Sequence, residues 1–325
     1  MTELITKIIH SILIGQDYRT YVLATINKRF IDKAQGLTGE IFEYKRKGEN
    51  WLEMLLDDTY KKKGKENKFK LLWFGGLNEK TVKNMTGGTS KKEVCLELGK
   101  KNIEALKLLL KEFKSGQSLY QIKIIIRKDN QQVKLDDLES LFFVNIISAM
   151  KLTIQGGAWS EVGKKTEKSL LFTIFRLLKV PKDDYVLVPD EMKRKGLVEN
   201  REIDAIVFNR DKEPLTVELK LLGIGNPEIG DEALARKVDL FLIDRLTDMM
   251  MKECEKIGIK VVEFRQESPL MEIYNFFTSR NVNCNPPEEM KPEQLENNIS
   301  KIVDEWTESK EELSILRKLK EWTKS

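Results

Sequence analysis

EIDAIVFNRDKEPLTVELK, residues 202–220, decides the fold of this chain. Two extended runs, EIDAIVF and LTVELK, flank the polar turn NRDKEP, which is the pattern of two strands joined as a hairpin. Side chains alternate between the two faces of a strand, so Glu218 and Lys220 point the same way. If the register aligns Asp204 with Glu218, an aspartate, a glutamate and a lysine meet at one edge of a sheet.

These three side chains predict a metal site. Two neighbouring carboxylates repel each other unless a proton or a cation lies between them, and oxygen ligands of this kind suit Mg²⁺. Such an ion can polarise a phosphodiester and activate a water molecule. We expect Asp204 and Glu218 to be the metal ligands. Lys220 could hold or deprotonate the water or stabilise the developing charge, and the sequence leaves these roles open.

A helix predicted over 160–179 adds a third carboxylate. Ser160 is the candidate N-cap, and the helix should end before Pro181. Glu167 precedes the apolar stripe of this helix, which points the carboxylate toward the sheet. The alternative is an acidic residue that only favours the helix dipole. The buried stripe is predicted to consist of Leu170, Leu171, Ile174, Phe175 and Leu178.

Composition narrows the possible chemistry. The 325 residues are 41% hydrophobic and 33% charged, which is normal for a globular protein of about two packed units. The single histidine, His10, lies in an amphipathic helix pattern. Its lone occurrence excludes Ser-His-Asp and Cys-His catalysis, a histidine-ligated zinc hydrolase and an HNH nuclease, since all need imidazole at the reacting centre. Carboxylates and lysines must therefore carry any catalysis.

The cysteine spacing and the hydropathy of the chain indicate its cellular compartment. Cys95, Cys254 and Cys284 are too widely spaced for a disulfide framework or a CxxC zinc site. No apolar run approaches the roughly 18 residues that a membrane span requires. The N-terminal segment is predicted as a helix and not as a signal peptide. We therefore expect a cytoplasmic protein.

The pattern along the chain predicts three regions. Residues 1–150 show mainly helical spacing, with possible DNA recognition. In residues 151–285 strands alternate with helices, which favours an α/β (α+β) architecture with a mixed sheet flanked by helices. Residues 286–325 carry ten acidic and seven basic residues and are predicted as a charged helical tail. The further strands are expected at 185–189, 238–243 and 259–264, with a helix at 246–257.

Several basic or polar residues are candidate DNA contacts. The segment 61–70 has six lysines against one glutamate, and it is either a phosphate-binding segment or a solvated loop. Lys164 and Lys165 are candidate phosphate contacts beside Glu167. Asn226, in a glycine-rich turn before a predicted helix, and Arg236 could bind a phosphate or a base edge. Two helices within 78–110 are a weaker candidate for a helix-turn-helix reader.

These residues resemble the PD-(D/E)XK nuclease superfamily, whose core has the order α-β-β-β-α-β. Asp204 matches the aspartate of the motif, Glu218 and Lys220 match its Glu-x-Lys, and Glu167 takes the place of the acidic residue of the first core helix. Ile203 stands where the superfamily often has proline, and Pro189-Asp190 offers a literal Pro-Asp pair as a minor alternative. The resemblance covers about residues 155–265.

Two longer runs are similar to segments of type II restriction endonucleases. They are GGAWSEVGKKTEKSLL and VELKLLGIGNPEIGDEALARKVDLFLIDRLTD. The resemblance implies Mg²⁺-dependent, sequence-specific hydrolysis of double-stranded DNA, with residues 151–285 as the catalytic core. A homodimer would match the two-fold symmetry of a palindromic site. The alternatives are a repair or junction nuclease without base specificity and a non-catalytic DNA-binding protein.

Overall fold

The computed structural model describes residues 2–48, 51–88, 90–115, 122–188, 203–221 and 237–308. The chain forms two compact units. One comprises Met1–Leu23 and Ser160–Ser325, and the other comprises Ala24–Trp159. The first helix therefore belongs to the same unit as the C-terminal part of the chain.

The unit formed by Ala24–Trp159 is mainly helical, with a single described hairpin. Its core is built around large side chains that are fully buried, among them Phe42, Trp51, Phe74 and Phe142. The elements are α2 (Arg19–Lys45), α3 (Trp51–Lys61), α4 (Lys65–Phe74), α5 (Glu79–Met85), α6 (Lys92–Ser115), β1 (Ile125–Lys128), β2 (Gln131–Lys134) and the first part of α7 (Asp137–Leu177).

The lysine-rich segment 61–70 is mostly helix and not loop, because α4 begins at Lys65. Lys68 Nζ lies 3.0 Å from Glu79 Oε1 and 2.9 Å from Ser90 Oγ. Lys70 Nζ lies 2.5 Å from Glu40 Oε1. These carboxylates neutralise two of the lysines, which favours a structural role for Lys68 and Lys70 over phosphate binding.

The Lys68–Glu79 contact predicts a pH-dependent stability. The hydrogen bond from Lys68, aided by Ser90 and Lys83, lowers the pKa of Glu79 from 4.5 to about 2. The ionised carboxylate therefore stabilises the fold above about pH 4.5, and this contribution is lost as the pH falls through 2. Glu79→Gln should lower the free energy of unfolding at pH 7 by about 1 kcal/mol after allowance for solvent screening. Urea unfolding at pH 7 and pH 2 measures this difference.

The matched control is Glu97→Gln. Glu97 pairs with Lys101 at 2.6 Å on the exposed surface of α6, so its loss should change stability much less. An effect of Glu79→Gln that is equally large at pH 7 and pH 2 would contradict the assigned pKa.

The other unit contains a five-stranded mixed sheet with helices around it. The strand order is β3-β4-β5-β6-β7, with β3, β4 and β5 antiparallel and β5, β6 and β7 parallel. This confirms the predicted fold class. The elements are α1 (Thr2–Leu13), β3 (Tyr185–Leu187), β4 (Ala205–Phe208), β5 (Pro214–Lys220), β6 (Leu240–Ile243), α8 (Asp248–Lys256), β7 (Lys260–Glu263), α9 (Pro269–Ser279) and α10 (Pro292–Glu308).

The end of α7 packs in the centre of this unit. All five residues of the predicted stripe, Leu170, Leu171, Ile174, Phe175 and Leu178, are buried. The Phe175 ring lies 4.8 Å from the ring of Tyr185 in β3, and the Phe172 ring lies 5.1 Å from Trp306 in α10. The C-terminal half of α7 is thus held between the sheet and α10.

The predicted start of this helix at Ser160 is wrong. A single helix runs over Asp137–Leu177, so the helix predicted over 160–179 continues one that begins well before it, within the region of predicted helical spacing. Gly156 and Gly157 lie inside it. Glycine weakens a helix by about 1 kcal/mol but keeps its backbone N–H, so two glycines do not end a helix that long apolar runs stabilise on both sides.

The predicted helical tail is described as far as Glu308. Ile299 and Val303 of α10 are fully buried, and α1 packs against this helix. His10 Nε2 lies 3.1 Å from the carbonyl oxygen of Pro292, so the lone histidine serves this helix contact. None of the described helices combines the length and the apolar character needed to cross a bilayer.

Candidate active site

The β4–β5 hairpin determines where the acidic residues lie. Its register pairs Ala205 with Val217, and the backbone N–H of Asp204 donates to the Val217 carbonyl at 2.9 Å. Both Ala205 and Asp204 therefore oppose Val217 across the hairpin, as in a β-bulge, and the regular pairing ends at Ala205. A bulge re-aims a side chain, and here the Asp204 carboxylate reaches the N–H of Leu219, the residue next to Glu218.

Two carboxylates hold the end of β5 through its backbone. Asp204 Oδ2 accepts a hydrogen bond from the N–H of Leu219 at 2.8 Å. Glu167 Oε1, on α7, accepts from the N–H of Leu221 at 3.3 Å. Asp204 and Glu167 thus approach β5 on either side of Lys220 in sequence, which brings helix and hairpin carboxylates to one strand end.

Lys220 lies between these two anchor points, and Glu218 directly precedes the first of them. The Glu218 side chain is 1% exposed and that of Lys220 is 22% exposed, and Lys220 Nζ lies 3.6 Å from Glu218 Oε1. A buried carboxylate is costly unless a cation or hydrogen bonds compensate it. The ammonium group of Lys220 supplies part of this compensation and is held at the same place.

The donor set fits a hard divalent cation with few protein ligands. Among the residues that the structure describes, no group of three or more His, Cys, Asp or Glu side chains is arranged to hold a metal ion. Mg²⁺ nevertheless often binds through one or two carboxylates, with water and substrate phosphate completing its shell. Asp204, whose carboxylate accepts from the Leu219 N–H, and the neighbouring Glu218 are the two carboxylates that would meet that lower requirement.

A second cluster fixes the segment directly after Lys220. The Tyr18 hydroxyl donates a hydrogen bond to the carbonyl oxygen of Leu221, and burial raises the pKa of Tyr18 well above its ordinary value. The turn before Tyr18 needs Gly15, because a Cβ there would lie 2.6 Å from the Gln266 carbonyl oxygen. Leu221 is therefore held at its N–H by Glu167 and at its carbonyl by Tyr18.

Asp244, which follows β6, is the centre of this cluster. Its side chain is 2% exposed, and it accepts hydrogen bonds from Arg265 Nε at 2.8 Å and from Arg19 Nη2 at 3.1 Å. Its backbone N–H donates to the Lys220 carbonyl at 3.3 Å. The sequence analysis missed Tyr18, Arg19, Asp244 and Arg265. The available signal was a single charged residue, Asp244, directly after the apolar strand VDLFLI.

Four predicted DNA contacts lie, entirely or by their side chains, outside the part of the chain that the structure describes. Lys164 and Lys165 lie within α7, but their side chains are outside the described set. Asn226 and Arg236 are outside the described residues, as is the alternative Pro189-Asp190 pair.

The mixed sheet flanked by helices, with acidic residues beside a lysine at the end of β5, is consistent with the class of PD-(D/E)XK nucleases. A family model for the CfrBI restriction endonuclease matches residues 2–251. Because this is most of the chain, the protein belongs to that family. It is a type II restriction endonuclease, a hydrolase that cuts DNA site-specifically.

The family membership decides between the functions that the sequence left open. It favours the restriction endonuclease over a junction nuclease and over a non-catalytic DNA-binding protein. Restriction endonucleases generally use divalent metal ions. No curated protein and no solved structure matches the chain.

Proposed function

We propose that Asp204, Glu218 and Lys220 form the catalytic centre of this restriction endonuclease, with Mg²⁺ as its cofactor and a PD-(D/E)XK core. The observation that carries this proposal is the end of the β4–β5 hairpin. There the Asp204 N–H donates to the Val217 carbonyl and the Asp204 carboxylate accepts from the Leu219 N–H, so Asp204 contacts the backbone on both sides of Glu218. The Lys220 ammonium group beside Glu218 completes the set of groups that phosphodiester hydrolysis requires.

Each residue has a separate task in this proposal. Asp204 and Glu218 bind the ion through carboxylate oxygens, and Asp204 is oriented by its hydrogen bond from Leu219. When bound, Mg²⁺ supplies Lewis-acid chemistry at the scissile phosphate and makes water a better nucleophile. Lys220 orients or deprotonates the attacking water or stabilises negative charge on the phosphoryl oxygens.

Glu167 is proposed to act through the strand end. The hydrogen bond that it accepts from the Leu221 N–H fixes the backbone next to Lys220, and its carboxylate adds negative charge near that strand end. The Tyr18 hydroxyl donates to the Leu221 carbonyl and the Asp244 N–H donates to the Lys220 carbonyl, so these two residues hold the same segment. Positions that are fixed within about 0.5 Å matter because small misplacements at a reacting centre reduce rates strongly.

The remaining expectations extend this proposal to the whole enzyme. Lys164 and Lys165 are proposed phosphate contacts, and Asn226 and Arg236 are proposed to approach the phosphates or base edges. A homodimer fits the two-fold symmetry of a palindromic substrate. The DNA substrate and the free thiols of the three cysteines support action in the cytoplasm.

Removal of divalent ions tests the cofactor. With Mg²⁺, the protein should convert plasmid and phage DNA to discrete fragments, and with EDTA it should leave both substrates intact because the scissile phosphate loses its Lewis acid. Addition of excess Mg²⁺ to the EDTA sample should restore the same fragments. Gel electrophoresis of the products measures both results.

Two outcomes would contradict parts of this proposal. Cutting at the full rate in EDTA would remove the metal from the mechanism. Restoration by another divalent ion but not by Mg²⁺ would keep the carboxylate pair and reject Mg²⁺ as the cofactor.

A further inference from the structure

The β1–β2 hairpin presents one polar face to solvent. Its register pairs Ile125 with Lys134 and Arg127 with Gln132, and all four side chains are exposed. Opposed residues share a face, so these two pairs form a continuous outer surface. We call this surface the ribbon face.

The opposite face anchors the hairpin to the core of its unit. Ile126 is 7% exposed, and it pairs with Val133, which packs against the same core. The N–H of Leu135 donates to the Ile124 carbonyl at 2.9 Å, and Ser140 Oγ accepts from the Ile124 N–H at 3.3 Å. The base of the hairpin is therefore fixed, and its outer side chains project from a rigid scaffold.

The charge of the hairpin is strongly positive. Residues 122–134 contain Lys123, Arg127, Lys128 and Lys134 against a single acid, Asp129. Lys128 lies 3.6 Å from Glu43. In the part of the chain that is described, Lys123, Arg127 and Lys134 form no ion pair with a carboxylate. This contrasts with Lys68 and Lys70 of the lysine-rich segment, whose charges are neutralised within the protein.

We propose that the β1–β2 hairpin enters the major groove of duplex DNA and that Arg127 and Gln132 read base edges there. The major groove admits a two-stranded ribbon, and arginine to guanine and glutamine to adenine are the side-chain pairings that its hydrogen-bond pattern favours. Lys123 and Lys134 are placed for phosphates, and Ile125 can contact a thymine methyl group.

The shape and charge of the hairpin argue for DNA and against a protein partner. Three cations that form no ion pair within the described residues lie on a thin ribbon and complement closely spaced phosphates, while Ile126 and Val133 face the core of the unit. The proposal rests on the DNA substrate that the family membership gives and not on the assignment of the catalytic residues. It replaces the helix-turn-helix prediction for 78–110 as the candidate base reader.

Single-base discrimination tests the proposal. The cleavage site is first read by sequencing the ends of the fragments that the wild-type enzyme produces. The values of kcat/KM are then measured on a duplex with this site and on duplexes that each carry one altered base pair. Arg127→Lys keeps the charge but loses the bidentate hydrogen bonds. It should lose about 5- to 150-fold of discrimination at one base-pair position and little elsewhere.

Further variants separate base reading from charge. Gln132→Ala should lose discrimination at a second position, whereas Lys111→Ala, which removes an exposed lysine of α6, should leave all discrimination ratios unchanged. Equal losses of kcat/KM on every duplex would assign Arg127 to the phosphate backbone and overturn the proposal. Unchanged ratios in both ribbon variants would overturn it as well. The discrimination ratios do not depend on which residues are catalytic, because none of these variants changes the active site. A failure of the catalytic assignment would therefore leave this test intact.

Discussion

Replacing Asp204 by asparagine is expected to reduce the rate of DNA cleavage about 1000-fold while leaving the fold intact. The loss corresponds to several kcal/mol of transition-state stabilisation, at about 1.4 kcal/mol for each tenfold change. Asparagine keeps a carbonyl oxygen that can accept the hydrogen bond from Leu219, now 2.8 Å from Asp204 Oδ2. The substitution therefore removes the charge that attracts the cation and little else.

Asp239→Asn is the matched control for this variant. Asp239 Oδ2 accepts from the N–H of Thr216 at 2.8 Å, so it also binds the backbone of β5 through one carboxylate oxygen. It directly precedes β6 and lies beside Thr216, so it is remote along β5 from the end that carries Lys220. We expect near wild-type cleavage from Asp239→Asn. Single-turnover cleavage and thermal unfolding of both variants measure the difference, and wild-type activity of Asp204→Asn would exclude the proposed centre.

Replacing Asp244 by alanine is expected to lower the free energy of unfolding by about 3–5 kcal/mol. The change removes a buried carboxylate that accepts hydrogen bonds from Arg19 and Arg265. Arg265 is 19% exposed, so its charge would lose its nearest partner in a poorly solvated place. Urea unfolding followed by circular dichroism measures the loss.

Asp17→Ala provides the comparison. Asp17 lies 3.0 Å from Arg265 and 3.7 Å from Arg19, but its side chain is 52% exposed, and exposed pairs contribute at most about 1 kcal/mol. A loss in Asp244→Ala no larger than the loss in Asp17→Ala would show that the cluster contributes little to the stability of the strand end.

The local sequence pattern was sufficient to predict the strands of the five-stranded sheet. Each of the strands predicted at 185–189, 202–208, 215–220, 238–243 and 259–264 corresponds to one of β3 to β7, with boundaries that differ by a few residues. Apolar periodicity reports which face of an element is buried, and it succeeded for α7 for the same reason. It failed at Ser160, where a capping residue and two glycines imitate a helix boundary.

The local sequence pattern did not predict the β1–β2 hairpin. IIRK and QQVK are only four residues each, and such short runs do not display a clear alternation. Their pairing depends on the packing of Ile126 and Val133 against the core, which the four-residue runs do not indicate. The lysine content of segment 61–70 did not show whether these lysines bind phosphate. Lys68 and Lys70 are neutralised by Glu79 and Glu40, which belong to other helices.

The sequence by itself determined the strands, their buried faces and the identity of the acidic and basic residues at the β4–β5 hairpin. These features follow from side-chain alternation and turn chemistry, which act over a few residues. Only the tertiary structure decided that Tyr18 and Asp244 meet the end of β5, since 203 positions separate Tyr18 from Leu221. Contacts between residues so far apart in sequence depend on how the helices and strands pack against each other. Local hydrophobic periodicity does not specify that packing.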